Sequence, residues 1–204
     1  MTEKWYQGKK AVLNGDLEQK YRDLEPILKG MAPKRSVLDI GCNGGLVSIL
    51  SAKHGASKAV GIDKRAYTIE QANMGADSWV EKGLLKRRDN ISFYNGNLAD
   101  NLDLVDQSDF LIIIRAIYHL REEAVTLFDR IKDRDDMILL VQGNPARKKK
   151  AAAEKTAIGN KLALSPAISS FLESYNFITK ILPNEIVIAR HKNSKFNLNK
   201  IRHR

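Results

Sequence analysis

Val37-Leu38-Asp39-Ile40-Gly41-Cys42-Asn43-Gly44-Gly45 is the end of a short apolar run, begun at Ser36, that breaks into glycines. A buried strand turning at once into a helix reads this way, because glycine allows a tight turn and lets the helix start close against the sheet. The helix should occupy residues 44–54. Working outward, Lys58–Asp63 (Lys-Ala-Val-Gly-Ile-Asp) is a second strand, and Ile69, Ala72, Ala76, Trp79 and Val80 fall on one face of a helix that should end at Gly83. Residues 91–94 form a third strand, and 109–114 are a continuous apolar run suited to a central strand covered on both faces. Ala124, Val125, Phe128 and Ile131 recur at helical spacing before a fifth strand at 137–141. Strands alternating with helices argue for βαβ units around a parallel sheet.

Beyond Gly143-Asn144-Pro145 the pattern changes. Residues 146–161 are basic and alanine-rich, a helical insertion with a weak apolar face. Ser165-Pro166 should supply an N-cap and a first-turn proline, with Ile168, Phe171, Leu172 and Tyr175 as the buried stripe of the helix. Residues 177–182 and 185–189 flank Pro183-Asn184, a turn too short for a helical crossover, so this pair should be an antiparallel hairpin. The expected fold is α/β: a doubly wound, mostly parallel seven-stranded sheet with a C-terminal antiparallel hairpin and helices on both faces. Residues 1–33 form an N-terminal helical segment or lid, with a helix over 17–31. Residues 34–191 are the main domain, and 192–204 a basic tail expected to be mobile.

A chain of 204 residues, 43% hydrophobic, suits one such domain. Its longest apolar runs are strand-length, too short to cross a bilayer, and the mixed-charge start lacks the apolar core of a secretory signal. A cytoplasmic protein with no membrane association is expected. Cys42, the single cysteine, excludes an intramolecular disulfide scaffold and a zinc cluster; it reads as a small packing residue, and no metal site is expected. The net charge of +10 is concentrated at Lys86-Arg87-Arg88, at Arg147-Lys148-Lys149-Lys150 and over residues 190–204. Such clusters attract polyanions, although each alone can equally be a solvated surface.

Two acids narrow the ligand. Asp63 ends the second strand at the offset where a carboxylate in such folds meets ribose hydroxyls, which indicates a nucleoside. Asp39 would repel a pyrophosphate but attract the ammonium and sulfonium of S-adenosylmethionine, which carries no phosphate. Gly41, Asn43 and Gly45 also miss the G-x-G-x-x-G spacing of dinucleotide sites.

With these residues in hand, the chain from 37 to 190 resembles the class I S-adenosylmethionine-dependent methyltransferases. Residues 37–45 look like their first motif, Ala59-Val60-Gly61-Ile62-Asp63 like the motif of their second strand, and Asn95-Gly96-Asn97-Leu98 like the loop after their third. The resemblance implies S-adenosyl-L-methionine as cofactor. It implies that Gly41, Asn43 and Gly45 line its methionine part, that Asp39 holds its amino group directly or through water, and that Asp63 accepts from both ribose hydroxyls. Asn97, standing where the family usually has aspartate, and the backbone of Leu98 would meet the adenine edge. Asn43 replaces the family's middle glycine, which asparagine tolerates because it reaches left-handed angles readily. The Gly-Cys-Asn variant is similar to that of some RNA-modifying members, including RNA 5′-phosphate methyltransferases and wobble-uridine carboxymethyl-transfer enzymes.

Arg115-Ala116-Ile117-Tyr118-His119-Leu120 follows the fourth strand, where open α/β sheets place their chemistry and where the family places the transferring methyl group. Tyr118 and His119 are candidates to orient or deprotonate a nucleophile, and Arg115 to hold an anionic substrate group; each also has a structural reading, as a packing side chain, a helix-start histidine or a surface ion pair. Asn144 should border the same cleft, with Arg147, Lys148, Lys149 and Lys150 beside it as substrate contacts. Trp5 and Tyr6 either stack over a ligand or staple the N-terminus to the core. These features lead to RNA, as tRNA or a 5′ end, as the expected substrate and partner. A small anionic metabolite is the alternative, and a non-catalytic subunit with a retained donor fold a third reading.

Overall fold

The computed structural model describes residue 5 and residues 7–120, 122–144 and 162–201. Tyr6, Arg147, Lys148, Lys149, Lys150 and the rest of the expected insertion lie outside the described residues. The chain forms two compact units, one running to Ser108 and taking in Ile201, the other Asp109–Lys200.

The first unit opens with three short helices, α1 (Lys9–Asn14), α2 (Gln19–Arg22) and α3 (Glu25–Met31). The sequence led us to expect one helix over 17–31. Pro26 breaks it: inside a continuous helix the ring would strike the carbonyl of residue 22, whereas in the first turn of α3 its missing N–H costs nothing. Then follow β1 (Ser36–Ile40), α4 (Leu46–Lys53), β2 (Lys58–Asp63), α5 (Ala66–Glu81), β3 (Ile91–Asn95) and α6 (Leu102–Asp106). β1, β2 and β3 pair in parallel, with Leu38 opposite Val60 and Gly61 opposite Phe93. α4 is buried on every side from Leu46 to Ala52, as its near-uniform apolar sequence requires. α1 is held on α5 by Trp79, whose Nε1 donates to Val12 O at 2.8 Å, and by Ser78, whose Oγ donates to Leu13 O at 2.8 Å. Burial raises the Cys42 thiol pKa well above its ordinary value, in keeping with a packing role.

The second unit contains β4 (Phe110–Ile114), α7 (Ile117–Leu120), α8 (Glu122–Ile131), β5 (Ile138–Gln142), α9 (Ser165–Glu173), β6 (Phe177–Leu182) and β7 (Ile186–His191). β4 and β5 run parallel; β7 lies antiparallel to both β5 and β6. Phe128 of α8 meets Phe171 of α9 edge-on at 5.2 Å between ring centres, joining the two helices in one aromatic core. Ser165 is not the cap of α9 but its first residue. Its N–H donates to Glu185 Oε2 at 2.7 Å, so a carboxylate twenty residues away serves the helix start. After β7 the chain turns, and Leu198, in a short 3-10 turn, is buried.

Across the sheet the strand order is β3-β2-β1-β4-β5-β7-β6. This is the mostly parallel seven-stranded sheet with antiparallel C-terminal strands that the sequence indicates. No helix among the described residues is long and apolar enough to cross a membrane.

Candidate functional site

The glycine loop between β1 and α4 is laced from three sides. Gly41 N and Cys42 N both donate to Ile62 O at 2.9 Å, tying the loop to β2. Gln7, nearly buried, donates from Nε2 to Cys42 O at 3.1 Å and accepts at Oε1 from Leu46 N at 3.1 Å. Gly45, the residue before α4, has no side chain to cap the helix, so Gln7 caps it from 39 residues away. Asn43 takes a left-handed φ of 51°, as its chemistry allows.

Asp63, at the end of β2, is the hub. Its Oδ1 accepts from Arg65 N at 3.0 Å and Arg65 Nε at 3.1 Å; its Oδ2 accepts from Asn43 N at 3.1 Å and Arg65 Nη2 at 3.3 Å. Arg65 Nη2 also donates to Asn43 Oδ1. Burial pulls the Asp63 pKa upward, but the Arg65 and Asn43 contacts outweigh it and hold the group below its ordinary value, so it is ionised at neutral pH. A carboxylate offers about four lone-pair positions, and here all are used, two by backbone N–H groups and two by a guanidinium. The Asp63 carbonyl accepts from Asn95 Nδ2 at 3.0 Å and Gly96 N at 3.1 Å, which anchors the loop carrying exposed Asn97 and buried Leu98 beside the hub.

Asp39 is almost wholly buried. Its Oδ2 accepts from Ser48 Oγ at 2.9 Å. Burial pushes its carboxyl up to about 7, with Asp63 adding to the rise and Ser48 opposing it. Asp39, Gly41, Asn43, Gly45, Asp63, Asn97 and Leu98 therefore converge in one unit. Arg65, Gln7 and Ser48 join them without having been read from the sequence; an arginine two residues after the acid that ends the second strand was the available signal.

In the second unit Arg115 closes β4 in a left-handed conformation, φ 53°, with its N–H donating to Gln142 O at 2.8 Å. Such angles are uncommon for side chains other than glycine and cluster at functional sites. Tyr118 is buried, and its hydroxyl accepts from Asn144 Nδ2 at 3.0 Å, while the ring of exposed His119 lies tilted against it, 4.4 Å between ring centres. Asn144 N in turn donates to Ala163 O at 2.8 Å, so the end of β5 is braced and fixes the phenol. Arg115, Tyr118, His119 and Asn144 thus form one cluster at the carboxyl ends of β4 and β5. Trp5 is half-buried, with the Lys9 ammonium 5.8 Å from the centre of its ring.

A glycine loop between β1 and α4, a carboxylate ending β2 and this strand order are the features in which the chain resembles the class I S-adenosylmethionine-dependent methyltransferases. Residues 37–134 match the family model described as a methyltransferase domain. Over these residues, just under half of its length, the chain is similar to a methyltransferase domain. It is 32% identical over 98 residues to a protein N5-glutamine methyltransferase of Methanocaldococcus jannaschii, which covers 47% of this chain and 46% of that one. The chain thus spans less than half the length of this curated relative. The fold is shared with cofactor-bound Rv0187 from MTB (TM-score 0.61, 16% identity, 92% of this chain and 87% of that one). It is shared also with magnesium protoporphyrin IX methyltransferase of Synechocystis PCC 6803 with bound SAH (TM-score 0.53, 17% identity, 89% and 91%).

Proposed function

We propose that this chain transfers a methyl group from S-adenosylmethionine to RNA. When bound, the donor supplies an electrophilic methyl group on a positively charged sulfur. Gly41, Asn43 and Gly45 would line its methionine part, Asp39 would face its ammonium, Asp63 its ribose, and Asn97 with the backbone of Leu98 its adenine. The cradle fits a nucleoside: two of the four acceptor positions on Asp63 are filled by one movable side chain, Arg65, and a ribose offers two vicinal hydroxyls.

Asp39 gives this assignment a pH signature. A protonated carboxyl cannot pair with an ammonium, so donor affinity should rise roughly tenfold per pH unit between about 5 and 7 and level off above. Calorimetry in buffers of different ionisation enthalpy should register proton release on binding near pH 6. A flat affinity across this range would take Asp39 out of the donor site. The sign for folding is opposite: the native pKa of about 7 lies above the ordinary 3.8, so the contribution of this group is complete below about pH 4 and is lost as pH rises to 7.

Tyr118 is assigned to orient the nucleophile, with Asn144 setting its hydroxyl, His119 beside it as a base and Arg115 for an anionic substrate group. Tyr118→Phe should lower kcat roughly tenfold while donor affinity stays unchanged. Normal turnover in both Tyr118→Phe and His119→Ala variants would make this loop structural.

Charge carries the RNA reading: the net +10 lies in clusters rather than spread evenly. Not every cluster contributes equally. Arg87 pairs with Asp89 at 3.2 Å and Arg88 with Asp77 at 2.8 Å, so weight falls on Arg147, Lys148, Lys149, Lys150 and the C-terminal segment. Affinity for labelled total RNA should fall steeply with salt, and neutralising Arg147, Lys148, Lys149 and Lys150 should flatten that dependence without moving the melting temperature. A second reading, a protein side chain as acceptor, is favoured by the likeness to the glutamine methyltransferase. Salt-insensitive RNA binding, with label from the donor appearing in protein or in a metabolite, would replace the RNA reading.

A further inference from the structure

The second unit contains a cavity of about 550 Å³ remote in sequence from Arg115, Tyr118, His119 and Asn144. Its floor is Ile178, Thr179 and Lys180 of β6 with Arg190 of β7, and its wall is the returning segment 194–199. β6 is the last strand of the sheet, so this face would otherwise be open. Three contacts build the wall. Arg190 Nη1 donates to His191 O at 3.0 Å, Lys192 O at 2.9 Å and Ser194 O at 2.7 Å, which closes the turn after β7. Lys180 Nζ donates to Leu198 O at 3.3 Å, tying wall to floor, and the buried Leu198 side chain anchors it.

The lining has one sign of charge. Lys180, Arg190 and Lys195 contribute cations, and among the described residues no carboxylate lines the cavity. Arg190 is half-buried and fixed through one nitrogen, and no hydrogen bond to another described residue uses its Nε or Nη2. Its charge is therefore held in place at no further entropic cost, with donors left for an anion. Lys195 is exposed and has no ion pair or hydrogen bond among the described residues. Beside these cations stand Phe196, Asn197 and Asn199, with Asn197 Oδ1 accepting from Asn199 N at 2.9 Å. A ring, amide groups and cations around a volume within the usual range of ligand sites match one unit of a nucleotide: phosphate on the cations, base against the ring, base edge to the amides.

We infer that this cavity seats one nucleotide unit of the RNA chain, as a docking site apart from the residues that transfer the methyl group. The inference rests on the RNA reading above. It gives that reading a named surface. A free mononucleotide shares the chemistry, and an acidic peptide shares only the charge, having no use for Phe196.

The test is fluorescence anisotropy with a labelled single-stranded oligouridylate, using the full chain at several salt concentrations, beside uridine monophosphate and polyglutamate as competitors. A Lys180→Gln, Lys195→Gln double variant should bind at least tenfold more weakly, and its log–log salt slope should be shallower by roughly 1.4, the value for two phosphate contacts on a single strand. Phe196→Ala should weaken binding roughly tenfold with the slope unchanged, and Phe196→Leu, which keeps apolar packing but has no ring for a base to stack on, should not restore it. Donor affinity should stay at the wild-type value in all of them. If wild type binds the oligonucleotide and the variants bind it equally well, the cavity is not the site and the RNA reading stands. If wild type binds no oligonucleotide, both fail. Displacement by the monophosphate alone at equal concentration would make it a mononucleotide site, and displacement by polyglutamate a plain anion surface; either overturns the inference.

Discussion

Asp63→Ala should raise the dissociation constant for S-adenosylmethionine by roughly ten- to a hundredfold, the loss expected when a charged acceptor is removed from two hydrogen bonds in a mostly buried site. The substitution also strands partners: Asn43 N and the Arg65 guanidinium lose the carboxylate that satisfies them, so some stability is lost as well. Thermal melts must therefore accompany the titration, and the affinity comparison is made well below the lower melting temperature. Arg65→Met separates the two effects. It leaves the carboxylate, with the Asn43 and Arg65 N–H groups still bound to it, and vacates the two positions that the guanidinium occupies. If the guanidinium stands where ribose hydroxyls bind, Arg65→Met should tighten donor binding a few-fold while Asp63→Ala weakens it. Unchanged affinity in Asp63→Ala would remove the ribose assignment. Weaker binding in Arg65→Met would make the guanidinium part of the bound state.

What could be read from the sequence was whatever is written locally. The glycine loop, the acid ending β2 and the Pro183-Asn184 turn each declare a backbone conformation within a few residues, and each stands where it was expected. So do α5, with Gly83 just beyond its end, and the apolar strands, because their periodicity is a property of one segment alone. What could not be read depends on partners far along the chain. Gln7 looks like any polar residue near an N-terminus, and only the fold brings its amide to Cys42 O and Leu46 N. Glu185 gives no sign that it serves the start of α9. Arg87 and Arg88 count as free charge in a composition and are paired in the structure. Pro26 is a different case: its signal is local, since a proline cannot continue a helix, and it falls inside the span 17–31 expected as one helix. At the proposed donor site, then, the motif located the carboxylate, while the arginine two residues on went unread as the partner that already sits on it.

Gly45→Ala tests how closely the donor loop must approach its surroundings, and it should cost about 2–4 kcal/mol of stability, with donor affinity falling alongside. Two separate penalties add. Gly45 has φ 73°, a left-handed angle that costs alanine about 1 kcal/mol or somewhat more. A β-carbon there would also stand 2.6 Å from Phe93 Cε1 and 2.7 Å from Ala72 Cβ, closer than carbon atoms pack. Neither neighbour can yield cheaply. Ala72 is fully buried on α5, and Phe93 is fixed across from Gly61, where an added β-carbon would again fall 2.7 Å from the ring. Overpacking of this kind costs about 1–3 kcal/mol, and the direction left for relief is for the loop to lift away from β2 and β3, which displaces the residues proposed to line the methionine part of the donor. Gly83→Ala supplies the comparison, because Gly83 has φ 67° but nothing within 4 Å of its β-carbon position. It should pay the backbone penalty alone, about 1 kcal/mol, and bind donor normally. The difference between the two variants in urea or thermal unfolding measures the close approach by itself. Equal stabilities, with wild-type donor affinity in Gly45→Ala, would show that the loop has slack and that glycine is needed there only for its angle.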